Sequence, residues 1–158
     1  VSTVADIRTA IVTRMNAVSG IGVVHAYERY AADLKTLALL YSAGAGQPIK
    51  GWFVRRALTQ ETGNVQGRTI ERIRWRIQGV MSLDDAAASE LTFDALIEGV
   101  RNAFAADETL GDAAITCING DGESCIQLDD AGPVMFGGVL CHAARLGLNT
   151  IRYLERNP

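Results

Sequence analysis

Cys141 and His142 stand side by side in the sequence, and a thiol beside an imidazole is the pairing that activates a cysteine nucleophile. Their neighbours are apolar and β-prone, so the two fall in a strand, where consecutive side chains point to opposite faces. They cannot serve each other there, and the expected roles are a buried thiol and a hydrogen-bonded core histidine. His25, Cys117 and Cys125 complete the soft-ligand inventory, but none of the spacings is that of a structural zinc site. Asn119-Gly120-Asp121-Gly122-Glu123, with Asp130 at the twelfth position, echoes a calcium loop. Ser124, however, stands where that loop needs glycine, and Asp130 where it needs a bidentate glutamate. A hairpin turn is the simpler reading. No GxxxxGK[ST] or GxGxxG phosphate loop occurs. The acid pairs Asp84/Asp85 and Asp129/Asp130 have no histidine or lysine close in sequence to complete an acid–base set. The residues therefore predict no catalytic set, no cofactor and no metal.

A different chemistry is spelled out further upstream. Arg72, Arg74 and Arg76 alternate with Ile73, Trp75 and Ile77, and a period of two places three guanidinia on one face of a strand. Arg55 and Arg56 lie in the preceding β-prone run, and one or the other is expected opposite this ladder. Like charges in cross-strand positions repel unless something answers them. Water, nucleic-acid phosphate and carboxylates of a neighbouring subunit are the three candidates. Phosphate binding usually joins such charge to aromatic platforms, and only Trp52 and Trp75 are near in sequence. The acidic complement is present in the chain itself. Residues 49–81 carry seven basic and two acidic side chains, whereas residues 82–130 carry one basic and twelve acidic. Asp84, Asp85, Glu90, Asp94 and Glu98 are the acids expected to meet Arg55, Arg56, Arg72, Arg74 and Arg76 of an adjacent copy.

These residues need a scaffold, and the periodicity supplies one. Val4, Ile7, Ile11, Met15 and Val18 recur at helical steps behind Thr3, which with Asp6 approximates a capping box. Val23 to Tyr27 reads as a strand, and Leu34, Leu37, Leu40 and Tyr41 as a short helix before the breakers Gly44 to Pro48. Residues 49–81 form a long hairpin turning at Gly63-Asn64 and Gly67. A further helix carries Phe93, Leu96, Ile97, Val100 and Phe104, with Ser82 to Asp85 as its capping start. Thr116 to Ile118 and Ser124 to Leu128 are expected to pair around Asn119 to Gly122. Val134 to Leu148, apolar on both sides, reads as one central strand bulged at its glycines. The expectation is a single α+β domain over 1–158, with a mainly antiparallel sheet and helices packed on one side.

Composition narrows the classes. Of the 158 residues, 48% are hydrophobic and 21% charged, with a formal charge of only -3, which excludes a disordered chain. No apolar run approaches the roughly 20 residues of a membrane-spanning helix. The first residues lack the basic start and apolar stretch of a leader. Three sparse cysteines without a CxxC spacing suggest reduced thiols in a cytoplasmic protein. A pI near 5.3 argues against non-specific duplex binding.

The order of several short runs is similar to that of a known family. Gly20-Ile21-Gly22-Val23-Val24-His25 is followed by Tyr27-Glu28-Arg29, then Ile49-Lys50-Gly51-Trp52, then Arg74-Trp75 with Gly79. Ser82-Leu83-Asp84-Asp85, Ser89-Glu90 and Phe93 precede Val134-Met135-Phe136 and Cys141-His142. In this order the chain resembles the tail terminator (tail completion) proteins of long-tailed bacteriophages. That resemblance implies a non-enzymatic virion protein assembled in the host cytoplasm, typically as a hexameric ring. The ring caps the tail tube protein, stops its polymerisation and presents a surface to the head–tail connector or neck protein, with DNA able to pass the lumen without sequence-specific binding. A neck or head-completion protein of the same virion is the nearest alternative. A cytosolic α+β enzyme and a nucleic-acid-binding module are the alternatives from other classes.

Overall fold

The computed structural model describes residues 2–63, 67–118 and 121–155. In chain order the elements are α1 (Val4–Asn16), β1 (Val23–His25), α2 (Leu34–Leu40), β2 (Lys50–Gly63), β3 (Arg68–Ser82), a 3₁₀ turn (Asp85–Ala87), α3 (Ser89–Ala105), β4 (Ile126–Phe136) and β5 (Val139–Glu155). The sheet order is β1-β2-β3-β5-β4. Only β1 and β2 run parallel; the other neighbours are antiparallel. The fold is α+β.

Local chemistry explains the helix starts. The Thr3 hydroxyl accepts the Asp6 N–H at 3.1 Å while the Asp6 carboxylate accepts the Thr3 N–H at 2.7 Å, a capping box that satisfies two otherwise orphaned donors. These bonds from Thr3 also hold the Asp6 carboxyl below its ordinary pKa. Asp33 caps α2 through the Thr36 N–H at 2.8 Å.

Strand alternation sorts the core into two clusters. Trp52, Val54, Ile73, Trp75, Ile77, Leu146 and Leu148 pack with Ile7, Ile11 and Met15 of α1 and Phe93, Val100 and Phe104 of α3. The two indoles are fully buried and still hydrogen-bonded, Trp52 Nε1–H to the Ile21 carbonyl and Trp75 Nε1–H to Thr150 Oγ1, each at 2.9 Å, as buried tryptophans require. The opposite phase of the strands carries Phe53, Val80 and Cys141, which pack with Tyr41 and with Leu37 of α2. Thus α1 and α3 cover one face of the sheet, while the short α2 lies on the other, at one end only.

The C-terminal third departs from the sequence reading. Residues 134–148 are not one central strand. Gly137 and Gly138, at φ 58° and 78°, turn the chain, because a two-residue hairpin turn of this hand needs positive φ twice. β4 is therefore an edge strand, and β5 lies between it and β3. The hairpin expected between residues 116–118 and 124–128 is also absent among the described residues. Thr116 bridges to Ile151, and Ile126 pairs with Leu148; Asn119 and Gly120 of that expected turn lie outside the described residues, as does Asn64 of the β2–β3 turn. Cys117 and Cys125, 4.8 Å apart at Cα, are joined by a disulfide, which corrects the expectation of three reduced thiols. Ser82 to Asp85 does not cap α3 either. Asp84 accepts the Ala87 N–H of the 3₁₀ turn, and α3 starts behind Ala88, a left-handed residue making no side-chain cap bond.

Candidate assembly surface

The β2–β3 register decides which arginines meet. Arg55 pairs with Arg76, Leu58 with Arg74 and Gln60 with Arg72, across a bulge between Arg56 and Leu58. Arg72, Arg74 and Arg76 therefore share the face turned away from α1 and α3, and Arg55 joins them. Arg56 does not: it is level with Trp75 and belongs to the other phase. The bulge explains why alternation counted from sequence left the two candidates open.

The ladder is partly answered within its own chain. Arg74 Nη2 donates to Asp129 at 3.2 Å, and Arg55 Nη1 donates to Glu28 at 3.0 Å. The first of these pairs spans three strands. β5 lies between β3 and β4, and the pair passes over it at Gly147, where a Cβ would collide with Arg74 Nη2 and stand 2.9 Å from Asp129 Oδ2. A β-bulge between Leu128 and Asp130 sets Asp129 out of register on β4. Among the described residues no ion pair forms at Arg72 or Arg76. The isolated face is consequently less self-repelling than sequence alone implied, and the arginines without an ion pair among the described residues are the two ends of the ladder. Beside Arg72 is a depression of about 380 Å³ lined by Leu58, Gln60, Arg72, Arg74, Asp121, Asn149 and Ile151.

The acids lie elsewhere. Asp84, Asp85, Glu90, Asp94 and Glu98 are all exposed around the 3₁₀ turn and α3. Glu98 meets Arg101 at 4.0 Å, a contact of little energetic weight at such exposure. Because α3 packs on the face opposite the ladder, the two charged surfaces of one chain stand on opposite sides of its sheet.

A buried ion pair has a different role. Glu71 is only 4% exposed and accepts from Arg152 Nε at 2.5 Å, while Arg152 Nη1 donates to the Ser2 carbonyl at 2.7 Å. It ties β3, β5 and the start of α1 together.

The thiol and imidazoles singled out in sequence take separate positions. Cys141 is buried in the second core cluster, and burial pushes its thiol pKa up, which disfavours the reactive thiolate. His142 points to the other face, stacks on Phe93 and shares a hydrogen bond with Ser89 Oγ at 2.7 Å. This serine–histidine contact was not legible in sequence. Ser89 Oγ also accepts the Asp84 N–H at 2.8 Å, so the contact fastens the start of α3 to β5. His25 Nε2 bonds the Leu40 carbonyl at 2.6 Å. No group of three or more His, Cys, Asp or Glu able to hold a metal forms among the described residues. Tyr27 and Tyr30, both exposed, line a second depression with Arg55 and Arg56, whereas the buried Trp75 ring lies 5.3 Å from the Arg8 guanidinium.

No protein-family model matches this chain, and no curated protein matches it. Among the described residues no helix is long and apolar enough to cross a membrane.

Proposed function

We propose that this chain is a structural subunit of a ring, of the tail-terminator kind, that caps a phage tail tube and joins it to the head connector. A neck or head-completion ring of the same virion would use the same surfaces. The observation that carries the reading is the placement of unlike charge on opposite sides of one sheet, with Arg72 and Arg76 on the uncovered face and Glu90, Asp94 and Glu98 on the outside of α3. Two different complementary patches on one subunit generate head-to-tail contacts, which close into a ring or run on as a filament. Exposed ion pairs are weak singly, about 0.2–1 kcal/mol each, and are screened by salt.

The test is the mass in solution by sedimentation, with negative stain for shape. A closed ring, six subunits on the family resemblance, that loosens as salt rises is the expected result. A monomer at every concentration would overturn the reading.

A second reading, nucleic-acid binding, rests on Tyr27 and Tyr30 beside Arg55 and Arg56, because exposed rings flanked by guanidinia suit base stacking. Affinity for a labelled oligonucleotide that falls steeply with salt would favour it.

A further inference from the structure

α3 carries an apolar side chain where a solvated acidic stripe needs none. Leu91 is 70% exposed, and helical spacing sets it beside Asp94 and Glu98, at three and seven residues along the same stripe. On the uncovered face of the sheet, the depression beside Arg72 has a mixed lining with an apolar patch in it. Leu58, 55% exposed, and the half-buried Ile151 supply that patch, Arg72 and Arg74 border it, Gln60 and Asn149 supply amides, and Asp121 adds one carboxylate. Its volume of about 380 Å³ accommodates a leucine side chain.

The charges around knob and hole have matching separations. Arg72 and Arg76, four residues apart on a strand, are about 13 Å apart at a rise near 3.3 Å per residue. Glu90 and Glu98, eight residues apart on α3, are about 12 Å apart along the helix axis at 1.5 Å per residue. Arg74 lies between the two arginines and is already held by Asp129, so the two charges without an ion pair among the described residues are the two whose spacing fits.

We propose that α3 of one copy docks along β3 of the next, with Leu91 seated in the Leu58–Ile151 depression and Glu90 and Glu98 meeting Arg72 and Arg76. This contact rests on the ring reading and names its interface. It gives the uncovered face of the sheet a helix, as α1 and α3 cover the other face within the chain. A buried apolar anchor inside a rim of ion pairs is also the usual distribution of energy in a protein interface.

Two variants test it. Arg72→Glu/Arg76→Glu makes both surfaces acidic, and Glu90→Arg/Glu98→Arg makes both basic. All four positions lie outside the core, so circular dichroism of each variant should match the parent. Each variant alone sediments as a monomer, and an equimolar mixture reassembles, because each copy then offers its neighbour the opposite charge. Leu91→Ala weakens association of the parent roughly tenfold or more. A parent ring that persists in either charge variant, or variants that stay monomeric when mixed, overturns this contact and leaves the ring intact as a reading. A parent that is itself monomeric removes the ring and the contact together.

Discussion

The two faces of the sheet solve opposite problems with the same strands. On the face under α1 and α3, Ile73, Trp75 and Ile77 are at most 1% exposed, and both indoles find acceptors. On the other face, Arg72, Arg74 and Arg76 from the same strand lie beyond the end of α2, with no helix over them. One residue of register separates a fully dry environment from a charged one, which is why a one-residue slip would be intolerable here. The difference separates the face that carries the stability from the face that the proposed contact would use. The dry face holds the fold together, and the open face carries the charges on which the proposed ring contact rests.

That contrast is most vulnerable on the dry side. Trp75→Ala removes a fully buried indole and orphans the Thr150 hydroxyl that accepted its N–H. The expected cost is about 3–5 kcal/mol, a large fraction of the stability of a domain this size. Urea denaturation measures it, and an unchanged midpoint would mean that the face assignment fails. Arg76→Ala, on the same strand, should shift stability by no more than about 0.5 kcal/mol, as a site outside the core.

The alternation was legible in the sequence because the strict order from Arg72 to Ile77 admits one interpretation. α1, β1, α2, the long hairpin and α3 were likewise legible from apolar spacing and from Thr3 with Asp6. The C-terminal third was not. Val134 to Leu148 is apolar on both faces, so no change of period marks the turn, and Gly137-Gly138 reads equally as a bulge or a hairpin. The Cys117–Cys125 bridge leaves no short-motif signature at a separation of 8 residues. Of the candidate surface, the arginines and the acids could be read in advance, but none of their partners. Glu28 and Asp129 reach Arg55 and Arg74 from 27 and 55 residues away, and only tertiary structure sets those distances. Leu91 could have been noticed as an apolar residue outside the helix stripe.

A smaller effect, near the helices that cover the dry face, depends on pH. Asp107, in the loop after α3, is held down to about 2 from an ordinary 3.8, first by the Thr109 hydroxyl, then by the Gly111 and Thr109 amides, and last by Arg14. A carboxyl whose folded pKa is depressed stabilises the fold above its unfolded pKa and loses that contribution as pH falls toward the folded value. Asp107→Asn should therefore be less stable than the parent at pH 5 and above. The gap should narrow below about pH 4 and close near pH 2. Thermal melts of both proteins across that range decide it, and a constant gap would mean that Asp107 acts by packing rather than by charge.

The subtlest consequence lies on the open face and concerns Arg74 and Asp129. Their side chains are 33% and 37% exposed at 3.2 Å, so solvent screens the pair, and its coupling should be only about 0.2–1 kcal/mol. A double-mutant cycle with Arg74→Ala and Asp129→Ala isolates this coupling from the other consequences of each change. The same cycle in a Gly147→Val background is more discriminating. A side chain at position 147 occupies the space through which the pair crosses β5, and the ends of two flexible side chains will yield before the strand does. Coupling measured with Gly147 in place should vanish in the Gly147→Val background, whatever valine does to strand propensity, because propensity cancels around the cycle. Equal coupling in both backgrounds would show that the ions meet by another route and that the bare backbone at this position is incidental. Loss of coupling would also release Arg74 to the ladder, adding a third guanidinium without an ion pair among the described residues, between Arg72 and Arg76. Association with an acidic partner should then tighten slightly in the Gly147→Val protein while its own stability falls.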